Sequence, residues 1–326
     1  MKDNTFLRLK KKLPGLKKNV LLKDHTTFKI GGNAEYFLIV KEKENVIKAI
    51  KEAQKFQLPI FIFGGGSNLL VSDKGLRGLV IRIQSFDKSF STKKIGKNII
   101  VKASGGVELK NLVEFSVNNG LEGLEWAGGL PGTFGGAIRG NAGAFGGEIK
   151  DSILEVEALD NSLRLRKLSN RQCKFSYRSS IFKMENWIVL SASVKLQKGS
   201  KKNLQEIANS HIDYRVKKHP LEYPNAGSVF KNMDFKKIPL KFQNLFLDKV
   251  KKDPFLIVPS AWFVIGAGLA GKKIGRAEVS KKHSNYIVNL GGAKASDVLK
   301  LISLVKKKVK EKYKINLEVE VQLVGF

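Results

Sequence analysis

Residues 126–148 read WAGGLPGTFGGAIRGNAGAFGGE, a glycine-dense run holding one proline and a central asparagine. Glycine brings no side chain to a core and loses more backbone freedom on ordering than any other residue. Such a run belongs where backbone must turn tightly or touch a ligand directly. A second stretch of the same kind, Gly64-Gly65-Gly66-Ser67-Asn68, follows the apolar run Ile60-Phe61-Ile62-Phe63 and precedes Leu69-Leu70-Val71. Successive backbone N–H groups in turn conformations make concavities that hold anions. Two such segments in one chain therefore point to a large, extended ligand that carries phosphates.

The 326 residues, 42% of them hydrophobic, suffice for a substantial core, and the length is a prior for two or three domains. Cys173 is the single cysteine, so no internal disulfide can form, which fits a reducing compartment. No stretch approaches the about 20 continuous apolar residues of a membrane span. The basic start MKDNTFLRLKKKLPGLKKN lacks a following apolar segment. A cytoplasmic protein without a membrane partner is expected. The histidines, His25, His211, His219 and His283, are too few and scattered for a His-rich metal centre, and no bound metal is expected.

The net charge of +30, from 59 Lys plus Arg against 29 Asp plus Glu, permits a nucleic-acid reading. The lysines are however spread in short groups such as Lys10-Lys11-Lys12, Lys251-Lys252 and Lys306-Lys307-Lys308, with no zinc-finger spacing and no aromatic-basic motif. A basic solvated surface that draws in anionic substrates and cofactors accounts for them, and no specific nucleic-acid partner is expected.

Along the chain, residues 26–40 carry a Gly31-Gly32-Asn33 break before a strand-like run. Residues 42–56 predict a helix with Val46, Ile47, Ile50 and Ala53 inward, and Pro59 precedes a strand. Short strands are predicted at 79–83 and 99–103, a helix at 107–118 with Leu109, Leu112, Val113 and Val117 inward, and strands at 153–159 and 188–196. A helix over 203–217 bridges into a C-terminal domain. There, 297–313 predicts a helix with Ser296 as N-cap and Leu301, Ile302, Val305 and Val309 as its inner stripe. Residues 317–323 alternate Leu317, Val319, Val321 and Leu323 against Glu318, Glu320 and Gln322, the pattern of a half-buried strand.

Gly266-Ala267-Gly268-Leu269-Ala270-Gly271 matches G-x-G-x-x-G after an apolar run. A dinucleotide site also needs an acidic residue about 20 positions on, and residues 285–290 offer none. A sterically cheap turn is the preferred reading.

An ordered set of segments resembles one family, the UDP-N-acetylenolpyruvoylglucosamine reductases of peptidoglycan precursor synthesis. The pieces are Thr27-Phe28-Lys29-Ile30-Gly31-Gly32, the Gly64 loop through Val71, Gly120-Leu121-Glu122-Gly123-Leu124-Glu125, and Gly129-Leu130-Pro131-Gly132-Thr133-Phe134-Gly135-Gly136 with Asn141-Ala142-Gly143. Further on stand Tyr177-Arg178-Ser179-Ser180, Ala226-Gly227-Ser228-Val229-Phe230-Lys231-Asn232, Lys282-His283-Ser284-Asn285-Tyr286-Ile287-Val288-Asn289 and Leu317-Glu318-Val319-Glu320-Val321. The likeness spans nearly the whole chain. It implies an α+β architecture: a vanillyl-alcohol-oxidase/PCMH-like FAD-binding fold of two subdomains plus a C-terminal α+β substrate-binding domain. The expected division is 1–196 for FAD, with a subdomain boundary near 72, and 197–326 for substrate, its last strand carrying a glutamate. The chain is similar to the shorter subtype, because no long insertion lies between Leu196 and His211. It departs from the family at Ala270, where a lysine is usual, and at His219-Pro220, where Gln-Pro is usual.

The resemblance implies non-covalent FAD, reduced by NADPH, and a UDP-sugar substrate whose enolpyruvyl double bond takes up hydride. Hydride arriving at the terminal carbon leaves carbanion character beside the carboxylate, and one donor aimed there is worth about 3 kcal/mol. By resemblance Arg178 and Glu320 stabilise that charge, and Ser228 donates the proton to the second carbon. Gly64, Gly65, Gly66, Ser67, Asn68 and Leu69, with Gly129, Pro131, Gly132, Thr133, Gly135 and Gly136, are implied to hold the cofactor, with Asn141 and Ala142 near its ring. Tyr177, Lys231, Asn232 and His283 are implied at the substrate pocket, and Arg215, Lys217 and His219 are candidates for the UDP diphosphate. A monomer is expected. A generic flavin oxidoreductase acting on an alcohol or hydroxy acid stands as the alternative.

Overall fold

The computed structural model describes residues 2–85, 90–252 and 254–326, with side chains from Asn4 onward. The chain forms two compact units, each assembled from three separated stretches.

The first unit comprises the chain up to Val20 together with Ala34–Gly65 and Arg77–Arg215. One of its sheets runs in the order Lys17–Leu21, Asn33–Val40, Leu76–Ile83, Ile60–Phe63. Ile60–Phe63 lies parallel to Leu76–Ile83, with Ile60 opposite Leu79. Leu79, Val80 and Ile81 are all buried, the continuous apolar run of a strand covered on both faces. The helix Lys43–Lys55 packs there through Val46, Ala49, Ile50 and Ala53. Ala49 takes the inward place expected for Ile47, which is only partly buried, because i, i+3, i+4, i+7 from Val46 runs through 49 and 50.

The second sheet of this unit is antiparallel, in the order Leu165–Ser169, Ile153–Leu159, Ile188–Lys198, Asn98–Ser104, Ser91–Ile95. Its core joins Val101, Val156, Ala192 and Val194 to Leu109, Leu112, Val113 and Val117 of the helix Leu109–Asn118, and to Phe134 and Ile138. Leu204 and Ala208 of the helix Lys201–Lys218 complete that core. The compact units therefore do not follow the expected division at 196/197: most of this helix packs in the first unit, since its apolar side chains find their partners there.

The second unit comprises Leu21–Asn33, Gly66–Leu76 and Val216–Phe326. Its antiparallel sheet runs Asn225–Ser228, Tyr286–Asn289, Ala277–Val279, Lys273–Ile274. The helix Ala295–Tyr313 packs through Val298, Leu301, Ile302, Val305 and Val309, the expected stripe extended by one turn. Ser296 is not its N-cap. Lys294 occupies that position, and the carboxylate of distant Asp73 accepts from Ala295 N at 2.8 Å and from Ser296 N at 3.2 Å.

The tail also differs from expectation. Only Gln322–Val324 forms a strand, parallel to Leu69–Val71, and Glu320 lies ahead of it in an extended segment. Leu317 and Val321 are buried as the alternation requires, but Leu323 is exposed and Val324 buried, so the phase slips where pairing with Leu69–Val71 begins.

The G-x-G-x-x-G run closes the helix Ser260–Gly266 and is a turn, as preferred. Gly266 is required by packing: a Cβ there would sit 2.0 Å from Tyr313 Oη.

Candidate active site

In the first unit, a Cβ placed on Gly64 would lie 2.2 Å from Thr133 Oγ1, and one on Gly65 would lie 2.7 Å from Gly132 Cα. Any side chain at these positions would push the two glycine loops apart. Gly65 meets Gly132 backbone to backbone, while Gly64 lies against the Thr133 side chain. Thr133 caps the helix Phe134–Arg139 by accepting from Gly136 N at 3.3 Å. Gly129 stands at φ 72, and Arg215 Nε donates to its carbonyl at 2.9 Å. Arg215, a candidate for the diphosphate, is buried, and its Nε braces the Gly129–Thr133 segment. Close-packed glycine turns of this kind, with an arginine bound to one of their carbonyls, are suited to an anionic group. Gly66, Ser67, Asn68 and Leu69 continue the first loop in the second unit.

Arg178 occupies a left-handed turn at φ 54. Its Nη2 donates to Gly143 O at 2.8 Å, its guanidinium lies 5.1 Å from the centre of the Tyr177 ring, and its carbonyl accepts from Lys183 Nζ at 2.9 Å. Asn141, fully buried at φ 41, supports the same corner: its Nδ2 donates to Glu148 Oε1 at 3.1 Å and to Ser176 O at 3.0 Å. Lys150 pairs closely with Glu148. Glu148 closes the glycine run, but a carboxylate at the end of a loop gives no sequence signal of a buried partner.

In the second unit, Asn225–Ser228 pairs with Tyr286–Asn289 and shifts register between Asn225 and Ser228. Gly227 makes this possible at φ 78, with nothing within 4 Å of its Cβ position, so the backbone conformation rather than space demands glycine. The shift presents Ser228, half-buried, opposite Tyr286. Glu320 N donates to Val229 O at 2.8 Å, and Asn68 Nδ2 donates to Glu320 O at 3.3 Å. Ser228, Glu320 and Asn68 are thus brought into one neighbourhood by residues far apart in sequence. Buried Asn285 holds the turn after Ser228, accepting from Phe230 N at 3.0 Å and donating to Phe230 O at 2.8 Å. Its place in the His283-Ser284-Asn285 motif was the available signal.

His219 shares a hydrogen bond of 3.2 Å between Nδ1 and Tyr286 Oη, and its ring meets that of His283 edge-on at 5.2 Å. Burial among these rings pushes the His283 imidazole below its ordinary value, favouring the neutral form. Lys231 pairs with Glu318. Asn232 Oδ1 accepts from Ser260 N at 3.2 Å at the start of the helix Ser260–Gly266, and Lys217 is exposed at the end of its helix. Among the described residues no group of three or more His, Cys, Asp or Glu is placed to hold a metal ion, and no helix is long and apolar enough to cross a membrane.

Two family models match the chain: an FAD-binding domain over residues 34–169, and the C-terminal domain of UDP-N-acetylenolpyruvoylglucosamine reductase over 219–324. The first takes in Gly64–Leu69 and Gly129–Ala142, the second Ser228 and Glu320. The reductase of Caldanaerobacter subterraneus subsp. tengcongensis is 38% identical over 94% of this chain and 93% of its own length. That of Lachnoclostridium phytofermentans is 37% identical over 94% and 92%. The crystal structure of the Thermus caldophilus reductase superposes with a TM-score of 0.74 at 28% identity, covering 95% of this chain and 100% of that one.

Proposed function

Since the chain belongs to the UDP-N-acetylenolpyruvoylglucosamine reductase family, we propose that it reduces the enolpyruvyl double bond of UDP-N-acetylglucosamine enolpyruvate, giving UDP-N-acetylmuramate for peptidoglycan. FAD, when bound, supplies the hydride chemistry. The glycine segments that meet at Gly64, Gly65, Gly132 and Thr133 would hold its pyrophosphate, with Asn141 and Ala142 near the ring. NADPH is the proposed reductant. A cytoplasmic monomer is the proposed state, with flavin held by the earlier part of the chain and substrate by the later part.

The observation that carries the residue assignment is the bond from Glu320 N to Val229 O, which sets Glu320 beside the shifted Ser228. Ser228 is the proposed proton donor to the second carbon. Glu320 and Arg178 are proposed to stabilise the charge that develops beside the substrate carboxylate, with Arg178 offering a directed fork of donors. Tyr177, Lys231, Asn232, His283, Arg215, Lys217 and His219 remain the proposed surroundings of the substrate. For Arg215 and Asn232 the bonds described above favour bracing over direct contact.

Stopped-flow separation of the two half-reactions tests this. Ser228→Ala should leave flavin reduction by NADPH intact and slow the substrate-reducing half by about a hundredfold or more, the usual scale of a general acid. An S228A enzyme that reduces substrate at the parental rate removes Ser228 from the mechanism. Flavin reduced by an alcohol or hydroxy acid, with NADPH oxidation indifferent to the enolpyruvyl compound, would defeat the proposed reaction.

A further inference from the structure

Gly143–Ala144 and Gly147–Glu148 form a small antiparallel hairpin, with Gly147 opposite Ala144 and Glu148 opposite Gly143. Its tip is Phe145-Gly146, both at positive φ (51° and 90°). The inner strand carries the carbonyl of Gly143, which accepts from Arg178 Nη2 at 2.8 Å. A Cβ on Gly143 would lie 3.2 Å from Arg178 Nη1, so hairpin backbone and guanidinium are in direct contact.

Besides the bond from Asn141 Nδ2 to Glu148 Oε1, this hairpin is held at its second strand and at its tip. Under its second strand lies Trp126: a Cβ on Gly147 would fall 2.3 Å from the indole. At its tip the Phe145 ring stacks on His211, with centroids 4.0 Å apart and planes 7° from parallel, and Tyr214 meets Phe145 edge-on at 5.4 Å. His211 Nδ1 is itself 3.2 Å from Glu125 O. Both supports therefore converge on the short helix Glu125–Ala127. Phe145 is 39% exposed, and for a bulky residue a left-handed backbone is uncommon and costly. A partly exposed ring held in a costly conformation against a flat partner is explained by what it fixes.

We propose that the Phe145–His211 stack is a positioning device for Arg178: it locks the tip of hairpin 143–148, and the Gly143 carbonyl transmits that position to the guanidinium. The inference rests on the proposed role of Arg178 in the substrate-reducing half-reaction. Without the stack, the hairpin tip is released and the Gly143 carbonyl, the nearer of two acceptors of the fork beside Asn141 O at 3.4 Å, loses its fixed place.

The test uses FAD-loaded enzyme, with flavin content and Tm recorded for each variant. Phe145→Ala and His211→Ala should each slow the substrate-reducing half about tenfold, the scale of an aromatic pair, and leave flavin reduction by NADPH unchanged. His211→Phe, which keeps a flat ring, should restore most of the rate. In an Arg178→Ala background, Phe145→Ala should have no further effect. Equal slowing of both halves, failure of the His211→Phe rescue, or full additivity with Arg178→Ala overturns the inference. An Arg178→Ala enzyme with the parental substrate-reduction rate instead overturns the role of Arg178, so the two failures are distinguishable.

Discussion

Asp73 caps a helix from 222 residues away, and removing it has a calculable consequence. Its carboxylate accepts from Ala295 N at 2.8 Å and Ser296 N at 3.2 Å, two of the amides that the first turn of the 19-residue helix Ala295–Tyr313 leaves without intrahelical partners. Loss of a capping oxygen costs about 1 kcal/mol. Loss of an anion at a helix N-terminus costs about 0.5 kcal/mol when the group is exposed, as Asp73 is. Asp73→Ala should therefore destabilise the second unit by about 1.5 kcal/mol, roughly tenfold in its unfolding constant. Asp73→Asn keeps an acceptor but no charge and should lose only about 0.5 kcal/mol, a difference that disappears in high salt. Ser296→Ala should be nearly silent, because Ser296 stands inside the helix. Urea unfolding followed by circular dichroism measures all three at constant slope. A parental midpoint for Asp73→Ala, or a larger loss for Ser296→Ala, would refute the reasoning.

Burial pushes the Cys173 thiol up to about 12, so native protein at pH 8 should leave a thiol reagent unreacted, whereas urea-unfolded protein should consume one equivalent. The His283 imidazole is held below its ordinary value of 6.5 by burial. The unfolded chain then binds a proton first as pH falls, so this contribution to stability is complete above 6.5 and is lost below it. His283→Asn should flatten the dependence of the unfolding midpoint between pH 7 and pH 5, and an unchanged slope would exclude His283 as its source. Gly266→Ala forces a methyl to within 2.0 Å of Tyr313 Oη and should cost about 1–3 kcal/mol by overpacking. Tyr313→Phe in the same chain should recover part of that loss in thermal unfolding.

The sequence by itself determined what is local. Spacing of apolar residues located the helix Leu109–Asn118, and a strand-like run located Ile153–Leu159 at its observed bounds. The two glycine runs announced close backbone approach, which Gly65 makes against Gly132. Tertiary structure decided whatever depends on a partner distant in the chain. Ser296 is a good capping residue, yet Asp73 caps that helix because an unrelated loop delivers a carboxylate to it. The tail alternates for a single strand, yet its phase slips where parallel pairing with Leu69–Val71 begins. Arg215 offers a charge to any anion, yet the nearby carbonyl of Gly129 engages it. Periodicity is written residue by residue because helix and strand repeat over a few positions; caps, registers and side-chain partners are set by which segments meet, and this chain builds each compact unit from three separated stretches.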